Sequence, residues 1–507
     1  MGIEKWEVGA TSRPFVVKTG AMYLKLACPV DVRDYSSPTM PPVENATDLH
    51  TATRATKTWI TLATLLLGVI AYQLNASMVA PAVPEIARKL GSTPDQVAIS
   101  QTMFFLFGGI TGVVLARYSD HAGRRKVLIY SLTAMSVGTV LAMLAPNVMV
   151  LIIGRLLQGA CGATFQITYL ILREILTPKQ FGPALGLVTA ISCGVGGADQ
   201  FLGGVLSDHW GFRSIFFVIL IIGIAAIALS MAYVPESTAA SPGNMDWPGA
   251  AALSAALICI NLGVNRGGSH GWANFATASL LAATLGFFVA FWFIEKHRAH
   301  PLISTKHLKS RQVWPIVATT LATLTGIFAA INFTVVVFSQ DPRVGYGMSA
   351  TASSLMFLTP AAAIGFFAAP VTGWLAPRVG WRVVMWSGLS LSIAALLVST
   401  LLLDHRWVVF AAFSLLGVFY NGLTLTTING LGIILTPKDA PGSLPGLNGA
   451  CFGIGAGLGI AIVAPVAAAG KFADFRAAMW ISVAITLVAL FASIWVQGSA
   501  EHSEEKI

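Results

Sequence analysis

The chain is short of charge. Only 10% of its 507 residues are Asp, Glu, Lys or Arg, against about 25% in a soluble globular protein. So few charges cannot cover a water-facing surface, which excludes an ordinary soluble domain. Cysteine is also scarce: Cys28, Cys161, Cys193, Cys259 and Cys451. None forms a CxxC pair and four lie in apolar runs, where small packing residues are a simpler reading than metal or redox chemistry. No loop carries a His/Asp metal cluster, a nucleophile beside a base, or a phosphate-cradling glycine loop. The sequence therefore offers no metal ligand, no cofactor and no catalytic residue, and a membrane-embedded enzyme ranks well behind other readings. It holds no nucleotide-binding domain either, so ATP does not drive this chain directly.

What is present is apolar length. The composition is 55% hydrophobic, gathered into runs of the roughly 20 residues that an α-helix needs to cross a bilayer. The runs are continuous rather than alternating, which excludes a barrel. Fourteen spans are expected, near 58–80, 96–117, 126–145, 148–170, 184–205, 214–234, 249–265, 275–295, 313–338, 349–374, 382–402, 406–430, 448–469 and 477–497. An even count puts both termini on one side. Placing them in the cytoplasm gathers Arg124, Arg125, Lys126, Arg173, Lys179 and the cations of 296–311 in cytoplasmic loops. Only scattered cations such as Arg213, Arg266, Arg343 and Lys471 lie opposite, the asymmetry of the positive-inside rule. The formal charge of +9 thus faces anionic headgroups of the lipid bilayer, and not nucleic acid. Residues 1–57 contain no spanning run and no signal peptide. They read as a cytoplasmic tail, whose first 39 residues are expected to be dispensable because Met40 precedes an ordinary polar segment.

One loop organises the chain. Gly112–Leu128 reads GVVLARYSDHAGRRKVL: an apolar run, a short turn through Asp120 and Gly123, then Arg124, Arg125 and Lys126. Two later stretches echo it, Gly373–Arg382 and Gly204–Arg213, as inverted three-helix repeats inside six-helix halves would. The loop resembles the one between helices two and three of the major facilitator superfamily, Gly-x-Leu-Ala-Asp-Arg-x-Gly-Arg-Arg, with Ala116 in place of its first glycine. Arg155-Leu156-Leu157-Gln158-Gly159, four residues beyond Leu151, resembles a second and more specific signature, Leu-x-x-x-Arg-x-x-Gln-Gly. Val234-Pro235-Glu236, Asp246-Trp247-Pro248-Gly249, Gly271-Trp272 and Pro301-Leu302-Ile303 resemble the centre of the fourteen-helix drug:proton antiporters.

The resemblance covers about residues 58 to 497. It implies an all-α polytopic fold of two six-helix halves, 58–236 and 313–497, around a central cavity. Two extra helices, 249–297, lie at its periphery, and 498–507 form a second cytoplasmic tail. It implies a monomer that carries a small-molecule substrate by alternating access.

Within this frame a few residues stand out. Arg155 lies inside an apolar run, where burial costs at least ~2.5 kcal/mol, so it should face a partner or a wet cavity. Arg155, Gln158, Gly162, Gln166 and Tyr169 recur at spacings of three and four and should share a face. Asp199-Gln200 stands where antiporters of the family carry Gly-Pro ahead of Gly203 and Gly204. A carboxylate there, balanced between desolvation and a nearby cation, could take up and release a proton in each cycle. Asn75 occupies the aspartate position of the family's span-one pattern, and an amide does not titrate. Asn332 and Asn421 add polar groups in the second half. Asp120, Gly123, Arg124 and Arg125 would form a cytoplasmic gate, and Gly159, Gly162, Gly203 and Gly204 would let helices approach closely. The leading expectation is proton-coupled efflux of amphipathic compounds; the alternative, favoured by Asn75, is a proton-coupled carrier of one metabolite.

Overall fold

The computed structural model describes residues 44–236, 245–298, 310–435, 443–468 and 470–497. The expected dispensable segment 1–39 and the tail 498–507 lie outside these residues. Every regular element among the described residues is helical. In order they are α1 (Glu44–Ser77), α2 (Pro94–Ala122), α3 (Arg124–Met143), and α4 (Val148–Gln158, resumed at Ala163–Ile175). Next come α5 (Pro178–Trp210), α6 (Phe212–Tyr233), α7 (Trp247–His270) and α8 (Phe275–His297). The second half holds α9 (Trp314–Thr323, running on to Gln340), α10 (Ala350–Ser353, running on to Val379) and α11 (Trp381–Leu401). It closes with α12 (Arg406–Leu416, running on to Ile434), α13 (Ser443–Ala467) and α14 (Phe472–Ser493).

Among the described residues 13 helices are long and apolar enough to cross a membrane; α5, with 33 residues, is the further helix of the expected fourteen. α1 begins at Glu44, well before the expected start of the first span, and Met1–Thr53 form a unit apart from Arg54–Ile507. The packing described below concerns the latter. Large apolar side chains such as Phe217, Ile224, Leu285 and Phe367 are exposed along the helices, as suits a surface facing lipid rather than water.

The sequence echoes are one structural device. Gly123, Gly211 and Gly380 each end a helix with φ of 97°, 80° and 107°, and the next helix starts at the following residue. Positive φ is open to glycine at little cost. Gly470 (φ 68°) takes the same positive φ in the turn between Ala467, where α13 ends, and Phe472, where α14 starts. Behind each glycine an arginine finds the carbonyls left over at the end of an antiparallel helix. Arg125 at the start of α3 donates to Met231 O near the end of α6. Arg213 at the start of α6 returns the bond to Met143 O and Ala145 O, both at 3.1 Å. Arg382 of α11 donates to Ile494 O past α14, and Arg476 of α14 to Thr400 O and Leu401 O at 3.1 and 3.3 Å. Two helix pairs, one in each half, are thus capped reciprocally.

The halves meet along α2 with α13 and α5 with α10. Glycine sets both crossings. A Cβ on Gly453 would lie 2.6 Å from Phe105 O, and one on Gly204 2.8 Å from Ala350 O. The α7–α8 hairpin leans on this seam through Leu253, Leu257 and Phe291, which join Leu106 and Ile110 of α2.

Candidate functional site

The site begins with a broken helix. Pro81 lacks the amide that would bond to Ser77 O, so α1 stops there and resumes through a 3-10 turn, Ala80–Ala82. The last carbonyls before the break lose their helical partners. Arg155, fully buried, donates to one of them, Asn75 O, at 3.0 Å. Its Nη1 also reaches Gln158 Oε1 at 2.9 Å, and its Cζ lies 4.3 Å from the centroid of the Phe104 ring. Gln158 Nε2 in turn donates to Thr139 Oγ1 at 2.8 Å. The Asn75 amide donates to Ala71 O at 2.9 Å and meets Met135 Sδ at 3.3 Å.

α5 approaches the same break. Gly203 would place a Cβ 2.1 Å from Met78 O, so only a glycine lets α5 lie against α1 here. Asp199, one turn earlier, accepts a hydrogen bond from Ser77 Oγ at 2.6 Å. Its neighbour Gln200 points to the other half and donates to Asn332 Oδ1 at 2.9 Å. Successive residues on a helix diverge by about 100°, so Asp199-Gln200 joins α1 on one side to α9 on the other. Asn332 lies in a π-helical stretch, Ala330–Thr334, a local distortion that often marks functional positions. Ser77 and Gln200 were not singled out in the sequence. The signals available were Ser77 at the threonine position of the span-one pattern and Gln200 in the substituted pair.

Along α4, Arg155, Gly162 and Gln166 meet successive turns of α2 at Phe104, Gly108 and Gly112. Between them a 3-10 turn at Gly159–Gly162 tightens the winding locally from 3.6 to about 3.0 residues per turn. Gly159 and Gly162 are packed against α2, where a Cβ would lie 2.7 Å from Phe104 O and 2.2 Å from Gly108 O respectively. Arg155 and Gln158 face the α1 break. Gln166 lies instead between Gly112 of α2 and Gly449 of α13, while Tyr169 is half-buried beside Phe165, ring centroids 5.9 Å apart. Arg155 and Asp199 form no ion pair with each other; both are tied to α1 instead. Asn421 stands apart, donating to Ala361 O at 3.3 Å and holding α12 to α10. A further amide unread in the sequence, Asn448, accepts from Thr320 Oγ1 at 2.6 Å and donates to Asn429 Oδ1 at 3.1 Å, binding α9, α12 and α13.

The two ends of the bundle differ. At the Gly123 end, Arg124 Nη1 bonds Glu174 Oε1 at 2.9 Å and Leu170 O at 2.6 Å, on α4 of its own half. Asp120 accepts from Arg117 at 3.1 Å and lies 3.4 Å from Arg124. At the Gly211 end, Asp208 crosses between halves and accepts from Ala350 N at 3.2 Å and Thr351 N at 2.8 Å. Gln340 Nε2 donates across to Pro81 O at 2.9 Å, and Thr359 Oγ1 to Gly197 O at 3.3 Å. The hydrogen bonds between halves thus run from the Asp199 level to the Gly211 end, which is closed.

An all-helical bundle with many apolar helices of membrane-spanning length and buried polar side chains inside it suits a multi-pass membrane carrier of small molecules. The Major Facilitator Superfamily model matches residues 65–460, and the chain belongs to that family. It is 39% identical over 408 residues to the uridine/deoxyuridine transporter of Lactococcus lactis subsp. cremoris (strain MG1363), covering 79% of this chain and 85% of that protein. It is 28% identical over 417 residues to multidrug resistance protein Stp of Mycobacterium tuberculosis, covering 81% and 76%. The crystal structure of the peptide transporter POT in complex with sulfate superposes with a TM-score of 0.61 at 14% identity, over 85% of this chain and 94% of that one.

Proposed function

We propose that the protein is a proton-coupled carrier of a specific polar metabolite of the nucleoside class, working as a monomer by alternating access in the bacterial cytoplasmic membrane. The Gly123 end, both termini and the cation-rich loops face the cytoplasm. The observation that carries this reading is the character of the site. Arg155, Asn75, Ser77, Asp199, Gln200 and Asn332 bond one another through directional polar groups. Such a set suits one hydrogen-bonding solute, because an analogue that lacks a matching group leaves a buried polar atom unpaired. The uridine/deoxyuridine transporter relative supports the same class.

Asp199 carries the proton in this scheme. It is a carboxylate 2% exposed, beside a span-one position where Asn75 cannot titrate. Charged Asp199 holds the substrate; protonation from the outer side removes that charge and releases it, so proton and substrate exchange. Export of amphipathic drugs is the second reading, supported by the similarity to the multidrug resistance protein.

The test uses the full chain in proteoliposomes with an imposed pH gradient, comparing labelled uridine and a fluorescent cationic dye, for wild type and Asp199→Asn. Gradient-driven uridine flux that falls at least about tenfold in Asp199→Asn, roughly 1.4 kcal/mol of lost coupling, supports the reading. Dye flux without uridine flux favours the exporter, and uridine flux indifferent to the gradient removes the proton from the mechanism.

A further inference from the structure

Gly380 follows α10 as Gly123 follows α2, an even number of helices on, so both turns lie at one end of the bundle. The two carry opposite balances of charge. Around Gly123, Arg117 and Arg124 meet the carboxylates of Asp120 and Glu174, and Glu236 lies against the glycine itself. Around Gly380 stand Arg378 and Arg382, with Pro377 where the first turn has its aspartate. The described acids of the second half are Asp341 after α9, Asp404 after α11 and Asp474 at the start of α14, all at the opposite end. Arg378 and Arg382 spend their bonds on carbonyls, Trp374 O at 2.7 Å and Ile494 O, and no ion pair reaches either among the described residues.

Aromatic rings frame Arg382. Its Cζ lies 4.5 Å from the centroid of Trp386, whose Nε1 donates to Ser493 O at 3.3 Å. Just past Ile494, Trp495 meets the rings of Phe491 and Trp314, with centroids 4.7 and 6.1 Å away. Successive residues at the end of α14 thus hold Trp386, Arg382 and Trp314. Trp314, Phe491 and Trp495 are exposed, and Arg382 Nε has no partner. Across the turn, exposed Arg378 lies with its Cζ 3.8 Å from the centroid of Trp374. Tryptophan settles at the level of lipid headgroups. A cation at that level with no carboxylate is left to the anions of the leaflet. We infer that the end of α14, where it packs on α9 and α11, binds one anionic phospholipid. Arg382 takes the phosphate, the Arg378 charge adds to the attraction, and the acyl chains lie on Trp314, Phe491 and Trp495. A zwitterionic lipid would bring its own ammonium against the arginines. The inference takes the orientation proposed above, in which this end is cytoplasmic and meets the anionic leaflet.

The experiment is native mass spectrometry of the purified full chain in detergent, titrated with phosphatidylglycerol and with phosphatidylcholine of the same acyl chains. One phosphatidylglycerol is expected to bind at least about tenfold more tightly, a preference that shrinks as salt is raised. Glycerol phosphate, which lacks the chains, is expected not to displace it. Arg382→Gln should weaken phosphatidylglycerol about fivefold and leave phosphatidylcholine unchanged, while Arg382→Lys keeps most of the preference. Arg406→Gln should change nothing: Arg406 also lies over a tryptophan, 5.4 Å from the Trp407 centroid, but at the opposite end near Asp404. Arg382 also caps α14, so where Arg382→Gln fails to fold, the lipid and salt comparisons in wild type decide. Equal affinity for the two lipids overturns the inference, as does a preference unaltered in Arg382→Gln. Displacement by glycerol phosphate overturns it too, in favour of a site for soluble anions. None of these readouts needs transport, so they stand apart from the outcome of the uridine assay.

Discussion

Ser-Asp-His-x-Gly is written twice in this chain, at Ser119–Gly123 and Ser207–Gly211, and the two copies behave differently. Each ends its helix on a glycine of positive φ, 97° and 80°. In the first copy Asp120 is held inside its own half by Arg117 and Arg124. In the second, Asp208 leaves its half and takes the first amides of α10, beside that helix's own cap, Ser349. Ser207 meanwhile donates to Glu85 just beyond α1, which places that carboxylate beside α5. The peptide is common; the neighbouring charge differs. Where arginines flank the aspartate it stays at home, and where no cation competes it reaches the positive end of a helix in the other half. A closed end and a self-contained end thus follow from one motif in two settings.

The comparison can be broken most severely at the glycines. Both combine positive φ with ψ near 131° and 162°, a region almost confined to glycine, where another residue costs of order 1–3 kcal/mol. Gly123→Ala also puts a Cβ 2.4 Å from Glu236 Oε1, whereas at Gly211 the nearest atom is Glu85 Oε1 at 3.5 Å. Thermal unfolding of the purified protein should show both variants destabilised, Gly123→Ala by no less than Gly211→Ala. Equal stability to wild type would remove the glycines from the account.

A smaller effect is expected at the aspartates. Asp208→Ala removes a cap shared between halves, worth about 1 kcal/mol, or roughly a fivefold shift toward the open end. Spin labels at Trp210 and Arg343, in a cysteine-free background, should report a longer-distance population that grows in Asp208→Ala. Asp120→Ala should leave that distance unchanged, because Asp120 makes its bonds within its own half. A shift of equal size in both variants would dissolve the distinction between the two copies.

The fold was legible because apolar length is a local property. The apolar runs announce the helices, and some glycines inside a run sit at close crossings, such as Gly162 and Gly203, whereas Gly286 and Gly373 meet nothing within 4 Å. Arg155 and Asp199 were legible for the converse reason, as charges set where burial is costly. Their partners were not. Arg155 bonds a backbone carbonyl left free where α1 ends at Ser77, ahead of Pro81, and no single side-chain letter encodes that. The same holds for Arg125, Arg213, Arg382 and Arg476, which a sequence presents as loop charges and the fold uses as caps on antiparallel helices. The shared face of α4 was legible as spacing, and Arg155, Gly162 and Gln166 lie against Phe104, Gly108 and Gly112 of α2; the 3-10 turn at Gly159–Gly162 was not. Asn332 and Asn421 looked equivalent as lone amides, yet one meets Gln200 across the halves and the other stays within its own.

The finest distinction between the two copies is their response to acid. Burial acts to raise the pKa of Asp208, but hydrogen bonds from Thr351, Ser349 and Ala350 outweigh it and hold the carboxyl below its usual value. These donors all belong to the second half, so the depression exists only while the end is closed. The sign follows: closure gains from charged Asp208 at every pH above the ordinary carboxylate value near about 4, and the gain is lost as pH falls through the depressed value. Well above that ordinary value the Trp210–Arg343 distance in wild type should therefore be insensitive to pH. Below that ordinary value the open population should grow in wild type and not in Asp208→Asn, whose amide has no proton to gain. Glu85, which meets Ser207, and His209, whose ring lies 5.9 Å from Trp210, are titratable neighbours on the α5 side of this end, and Asp341, which accepts from Arg343 N, lies on the α9 side. Repeating the titration in Glu85→Gln and His209→Gln assigns the transition. If it follows either of them instead of Asp208, the closed end owes its acid response to α5's neighbours rather than to the cap on α10.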